Sequence, residues 1–238
     1  MRTAKYARVG IAVASLLLAA CETTPQIQTG EDAEVIAGSN LVRVDHSRAK
    51  LAYVDPQAPF GKYTAIMLAP LGVENVEIIQ PGNSSRSYGN RNWELTDSDK
   101  QRLQADFQQA MAQQLSSTGN FQLVDSIGDR VLTISARLTR IAPTAPKDDN
   151  RSRPTGRSHI ITEGSGRLSV EVIFSDSETG EVLALAKDTR SASSQWGLNN
   201  SVTNAAEVRR VFNSWARQIA TQLERLHDKA GTPPAAEI

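Results

Sequence analysis

The sequence predicts an α+β domain, an antiparallel or mixed sheet with two amphipathic helices packed on one face. Three observations predict it. The stretches VLTISARL and GRLSVEVIF alternate apolar and polar residues, the period of a half-buried strand. Two other stretches, opening near Asp97 and near Asn204, carry apolar residues at helical spacing. Strands and helices do not alternate strictly, which argues against a doubly wound parallel sheet.

The elements follow in chain order. TAIMLAPL is a continuous apolar run closed by Pro70 and reads as a buried strand. VENVEII alternates and either extends it or forms a second strand. A Gly/Asn/Ser loop follows from Pro81 to Asn92. In LTDSDK, Thr96 is a plausible N-cap with Asp99 three residues on, close to a capping box. Leu103, Phe107, Ala110, Met111 and Leu115 then form one apolar stripe, and Gly119-Asn120 closes the helix.

FQLVD reads as a short strand. In VLTISARL, Leu132, Ile134, Ala136 and Leu138 face one way. After the polar loop APTAPKDDNRSRPTGR, Leu168, Val170, Val172 and Phe174 face inward from the next strand. DSETGE turns the chain, with Gly180 suited to the positive φ of a bulged hairpin, and EVLALAKD returns as the partner strand. The last helix starts near Asn204 with Glu207 three residues later. Val208, Phe212, Trp215, Ile219, Leu223 and Leu226 make its stripe.

The chain of 238 residues has 26 basic and 26 acidic side chains, 39% hydrophobic residues and 5% aromatics. Such composition predicts a modest core. Arg2, Lys5 and Arg8 are the only charges among the first twenty residues, so the remainder carries 23 basic against 26 acidic residues. A slightly acidic body gives no electrostatic reason to bind nucleic acid. The single cysteine, Cys21, excludes an internal disulfide and a thiolate-rich metal site.

The first residues have the build of a secretory signal peptide. A basic start precedes an apolar run, Val9 to Leu18, that is too short to span a membrane comfortably. It ends Leu18-Ala19-Ala20-Cys21, which resembles the bacterial lipobox. That resemblance implies a diacylglycerol on the Cys21 sulfur, cleavage before Cys21 and acylation of the new amine. Thiol is the nucleophile that takes the lipid, and two or more chains anchor a protein stably. Glu22 follows, where aspartate in such lipoproteins favours retention at the inner membrane, so the resemblance implies the outer membrane. The expected organisation is a signal peptide over 1–20, a lipidated flexible tether over 21–40, a single α+β domain over 41–228 and a disordered Pro/Ala tail over 229–238.

Several pieces of the body resemble a family of Gram-negative lipoproteins, the domain-of-unknown-function family numbered thirty-three thirteen. These are Tyr53, Asp55-Pro56 and Tyr63, the turn Asp176-x-x-Thr179-Gly180-Glu181, and Trp215 with Ala216. The resemblance covers roughly Leu51 to Leu226. It implies the envelope address and the fold, and no catalytic residue.

Candidate sites are few. His46, His159 and His227 have no partner at metal spacing, and His227 suits a helix end. Ser165 in EGSGR fails the G-x-S-x-G motif by one position, and its glycines read as a bend at a strand start. DSETGE is far shorter than the roughly 12-residue EF-hand loop, so a hairpin explains it better than calcium. Trp93 and Trp196 sit in polar loops, and Gln195 and Asn199 flank the second. Indole with amide neighbours suits stacking on a sugar or packing at an interface, and equally a ring folded back as a lid. Lys147, Arg151, Arg153 and Arg157, with Asp148 and Asp149, form a loop that could meet phosphates or simply be solvated.

The expected function is that of a non-enzymatic outer-membrane lipoprotein, a periplasm-facing binding or assembly module with no cofactor and no metal. Its expected partners are the bilayer, through acylated Cys21, and an envelope protein or polymer. Rival readings are a hydrolase acting on peptidoglycan or lipid, and a small-ligand sensor with its pocket under the helices.

Overall fold

The computed structural model describes residues 24–81, 93–145, 161–193, 196–198 and 201–231, with side chains except at 161, 196–198, 201–202 and 229–231. Among these, one nine-stranded mixed sheet carries two helices, α1 (Asp97–Thr118) and α2 (Ser201–Gly231). The strands are β1 (Gln26–Ile27), β2 (Val42–Asp45), β3 (Leu51–Val54), β4 (Ala65–Leu68), β5 (Glu77–Ile78), β6 (Gln122–Val124), β7 (Val131–Pro143), β9 (Gly166–Asp176) and β10 (Val182–Ser191). Two more, β8 (Ile161–Glu163) and β11 (Trp196–Leu198), pair as a separate ribbon.

The sheet order is β1-β2-β3-β10-β9-β7-β4-β6, with β5 also on β7. The three longest strands, β7, β9 and β10, are antiparallel neighbours at its centre. β4 and β5 run parallel to β7, and β6 runs parallel to β4 after the crossover through α1.

Alternation in the long strands does what the sequence predicts. Leu132, Ile134, Ala136 and Leu138 are buried, as are Leu168, Val170 and Val172, while Phe174 is half-buried. They share one core with Phe107, Met111 and Leu115 of α1 and with Phe212, Trp215 and Leu223 of α2. Both helices therefore cover the same sheet face. A bulge in β7 between Leu138 and Arg140 adds one residue against β9. Beyond it the inward position passes to an odd residue, Ile141, opposite Leu168. Polar residues line the other face, where Glu171 on β9 lies between Arg137 on β7 and Lys187 on β10. Its carboxylate meets Arg137 Nε and Lys187 Nζ, each at 2.8 Å. Those hydrogen bonds, Arg137's first, hold Glu171 below the usual carboxylate range against the opposing effect of its burial.

Helix α1 starts where its cap predicts. Thr96 Oγ1 accepts the Asp99 N–H, and the Asp99 carboxylate accepts the Thr96 N–H. Gly119 closes it at φ 74. The DSETGE hairpin also forms as predicted, with Gly180 at φ 72 and a bulge between Val182 and Ala184.

Other expectations are corrected. Helix α2 begins at Ser201, ahead of Asn204, and runs to Gly231, past the expected boundary at 228. Glu207 does not serve a cap there, because its carboxylate accepts the Ser165 N–H across the fold. At the far end Lys229 and Ala230 are good helix formers, and the stop comes only at Gly231, ahead of Pro233-Pro234. The segment expected as a tether holds β1, whose Gln26 and Ile27 pair with Asp45 and Val44. A side-chain amide secures it, since Gln28 Nε2 donates to Asp45 Oδ1 at 2.9 Å. VENVEII yields only Glu77–Ile78 as strand. Strands β2 and β3 have no sequence expectation behind them: four residues each, all half-buried, are too short to display a period.

Candidate functional site

The central strands give the sheet two ends. At one, β9 turns into β10 through the Asp176–Glu181 hairpin. At the other, β7 finishes beside the start of β9, and the first turns of both helices lie over it.

The second end is built on glycines. Gly164 has φ 64, and a Cβ there would sit 2.5 Å from the Ser193 carbonyl oxygen. Gly166 has φ 142, and a Cβ there would sit 2.3 Å from the Ala142 carbonyl oxygen. Only glycine passes so close to two neighbouring backbones. Ser165 between them is therefore a bend residue, as the sequence suggests. Its N–H donates to Glu207 Oε2 at 2.7 Å and its carbonyl accepts the Thr144 N–H at 3.2 Å.

Trp93 folds back onto this end, the lid alternative of the sequence reading. Its indole N–H donates to the Ala145 carbonyl at 2.7 Å. The Gln80 amide grips its backbone twice, accepting the Trp93 N–H at 2.6 Å and donating to the Trp93 carbonyl at 3.0 Å.

Under Trp93 lies a cavity of about 210 Å³. Its walls are mainly apolar: Ile78 on β5, Leu103 on α1, Ile141 on β7, Leu168 on β9, and Ala205 and Val208 on α2. Three charged residues of α1 also border it, Asp99, Arg102 and Asp106. Asp99 serves the helix cap, and Asp106 faces Arg209 of α2 at 4.0 Å. Arg102 is exposed and has no hydrogen-bond or ion-pair partner among the described residues.

The hairpin end is closed instead. Asp176, buried, accepts on Oδ1 from the Glu178 and Thr179 N–H groups, both at 3.0 Å. On Oδ2 it accepts from Lys62 Nζ at 2.7 Å and Tyr63 OH at 2.9 Å. The Lys62 hydrogen bond, then that of the Thr179 amide, holds Asp176 well below the usual carboxylate range. Burial, then the Asp176 hydrogen bond, pushes the Tyr63 phenol up. Both Asp176 oxygens are thus spent on donors, so the turn offers a cation nothing. Tyr63, Asp176, Thr179, Gly180 and Glu181, which carry the family resemblance, meet at this pin.

Asp55 and Trp215, also in that resemblance, are structural as well. The Asp55 N–H donates to the Leu183 carbonyl at 2.8 Å. The Trp215 indole donates to Asp188 Oδ2 at 2.8 Å beneath the Arg190 guanidinium.

Of the site residues the sequence singles out, Trp93 and Ser165 line the cavity, Ser165 as the bend residue between its glycines. Trp196 is not in a loop. Its backbone is in β11 opposite Glu163, a pairing hidden from the sequence because the two short segments lie far apart in the chain. Cys21, Arg151, Arg153, Arg157, Gln195 and Asn199 lie outside the described residues, as do Lys147, His159 and the loop over 82–92. His227 packs edge-on to Phe121, centroids 5.6 Å apart, one turn before the helix end. Sequence reasoning misses Arg102 and Asp106; their one signal is a charged pair at i, i+4 beside the Leu103 stripe. Among the described residues no three His, Cys, Asp or Glu side chains converge as a metal site, and no helix is long and apolar enough to cross a membrane.

Residues 32–219 match the family model described as "Protein of unknown function (DUF3313)", and the chain belongs to that family. No curated protein matches it. Among solved structures it is similar to protein XCC0632 from Xanthomonas campestris, at 11% identity and TM-score 0.42, over 71% of this chain and 88% of that one. It is also similar to the PelC dodecamer from Paraburkholderia phytofirmans, at 10% identity and TM-score 0.34, over 67% and 88%. Rare lipoprotein B from Shewanella oneidensis is similar at 12% identity and TM-score 0.25, over 69% and 96%. Likeness this low does not establish a shared function.

Proposed function

We propose that this member of the family is a lipid-anchored, non-enzymatic binding module of the cell envelope, held at the outer membrane by acylated Cys21 and facing the periplasm. The address rests on Leu18-Ala19-Ala20-Cys21 behind a basic and apolar leader. The binding activity rests on one observation, the apolar cavity under Trp93. Small-molecule sites are concave and mostly apolar, with few polar groups to fix orientation. This cavity has that composition, and the groups at it that could act as a base are engaged in structure. Asp99 caps a helix and the Ser165 backbone is fixed to Glu207. Those same ties argue against the hydrolase reading at this place, because a general base must reach the proton it abstracts.

Mass spectrometry of the native N-terminus tests the address. A chain starting at Cys21 with three acyl groups is expected; a retained Met1 contradicts it. Crosslinking in intact envelopes tests the binding. Trp93→Ala should change the set of recovered partners, and an unchanged set removes the Trp93 end from the account.

A further inference from the structure

We infer that the Trp93 cavity holds the tail of a single-chain amphiphile with an anionic head, a carboxylate or phosphate monoester. The inference rests on the binding-module reading and names the class of ligand. Volume sets the tail. An apolar protein cavity of about 150 Å³ takes benzene, so at the same volume per carbon a cavity of 210 Å³ takes about eight carbons. The lining is suited to a chain rather than a sugar, since Ile78, Leu103, Ile141, Leu168 and Val208 offer it no hydrogen bond.

Electrostatics at the mouth sets the head. Of the three charged α1 residues there, the two carboxylates are engaged, Asp99 by the cap and Asp106 across from Arg209. Arg102 has no such engagement among the described residues. A guanidinium recognises carboxylate and phosphate through paired N–H donors. Residues near the starts of both helices also line the cavity, and α2, unlike α1 with Asp97 and Asp99, has no acidic residue in its first turn. The positive end of the α2 dipole is therefore not offset by an acid of its own and adds to the same sign. A cationic head would gain nothing from Arg102.

The test uses the full chain carrying Cys21→Ser in detergent-free buffer, with ¹⁵N-labelled tryptophan. The indole N–H of Trp93 reports on the cavity and is assigned through Trp93→Phe. Sodium octanoate, octyl phosphate, octan-1-ol and octyltrimethylammonium are titrated separately. Octanoate and octyl phosphate are expected to shift the Trp93 signal, and a preference between them tells a fatty acid from a phosphate ester. The ammonium should bind about tenfold more weakly, and Arg102→Gln should cost the anions about tenfold while leaving octan-1-ol unchanged. Ala205→Phe, which fills the cavity from α2, should abolish every shift. Should that variant not fold, Ala192→Leu fills it from the residue that follows β10.

Equal binding of the anionic and cationic probes overturns the head assignment. No shift with any probe, or shifts that survive in the filled variants, overturns the proposal. Such a failure beside an intact Trp93-dependent partner set in envelopes would leave the binding module standing, so the two readings fail separately.

Discussion

The two ends of the central sheet solve opposite problems. At the hairpin end a buried carboxylate is surrounded by donors from two separate parts of the chain, Lys62 and Tyr63 on one side and the 178–179 amides on the other. At the other end, glycines bring the backbones together and helix starts converge, yet the packing leaves a cavity. A cavity of that kind forfeits dispersion contacts and so lowers stability. The comparison teaches where stability and binding are separated in this fold. Tyr63 and the Asp176–Glu181 turn of the family resemblance gather at the end that gives up nothing, and the cavity lies where polar groups are few.

The comparison breaks most easily at the hairpin. Asp176→Ala leaves Lys62 and the buried Tyr63 hydroxyl without their acceptor and should destabilise by about 3–5 kcal/mol in urea denaturation. A loss below about 1 kcal/mol would remove the pin from the account. The same pair predicts a pH dependence. Because the native Asp176 is held below its ordinary value of about 3.9, its contribution is complete above that pH and declines as pH falls toward the depressed value. Tyr63, pushed upward, contributes fully below about 10 and loses that contribution as pH rises beyond it. Denaturation midpoints of native protein and Asp176→Asn should therefore draw together progressively as pH falls below about 3.9.

At the cavity end, Gly166→Ala forces a Cβ against the Ala142 carbonyl at positive φ and should cost about 2 kcal/mol. It should also displace the Trp93 indole resonance, which Asp176→Asn should not. Thr96→Ala removes the α1 cap and should cost about 1 kcal/mol. The smallest effect sharpens the contrast. Arg137→Ala on the outer sheet face should cost under about 1 kcal/mol, since Arg137 is largely exposed and Lys187 still serves Glu171.

Much of this was legible in the sequence for physical reasons. Strands β7, β9 and β10 are long enough to show their period. Helix α1 carries both a cap and a stop, and Gly180 marks the hairpin. Short elements were legible only where an apolar run marks them, as in β4 and β6. Strands β1, β2, β8 and β11 exist through pairing with distant segments, and two to four residues cannot display a pattern. The role of Glu207 is not legible, because a carboxylate near a helix start looks the same whether it serves a cap or a strand amide forty-two residues away. Trp93 stands out by its place in a polar stretch, but the cavity beneath it depends on five elements meeting, which no local pattern encodes.

Hydrogen exchange with and without sodium octanoate tests the separation of the two ends most directly. Added octanoate should slow exchange at residues 97–106, 164–168 and 203–208 and leave 176–181 unchanged, because a ligand that binds only one end raises protection there first. Equal slowing at both ends, or none at either, would contradict it.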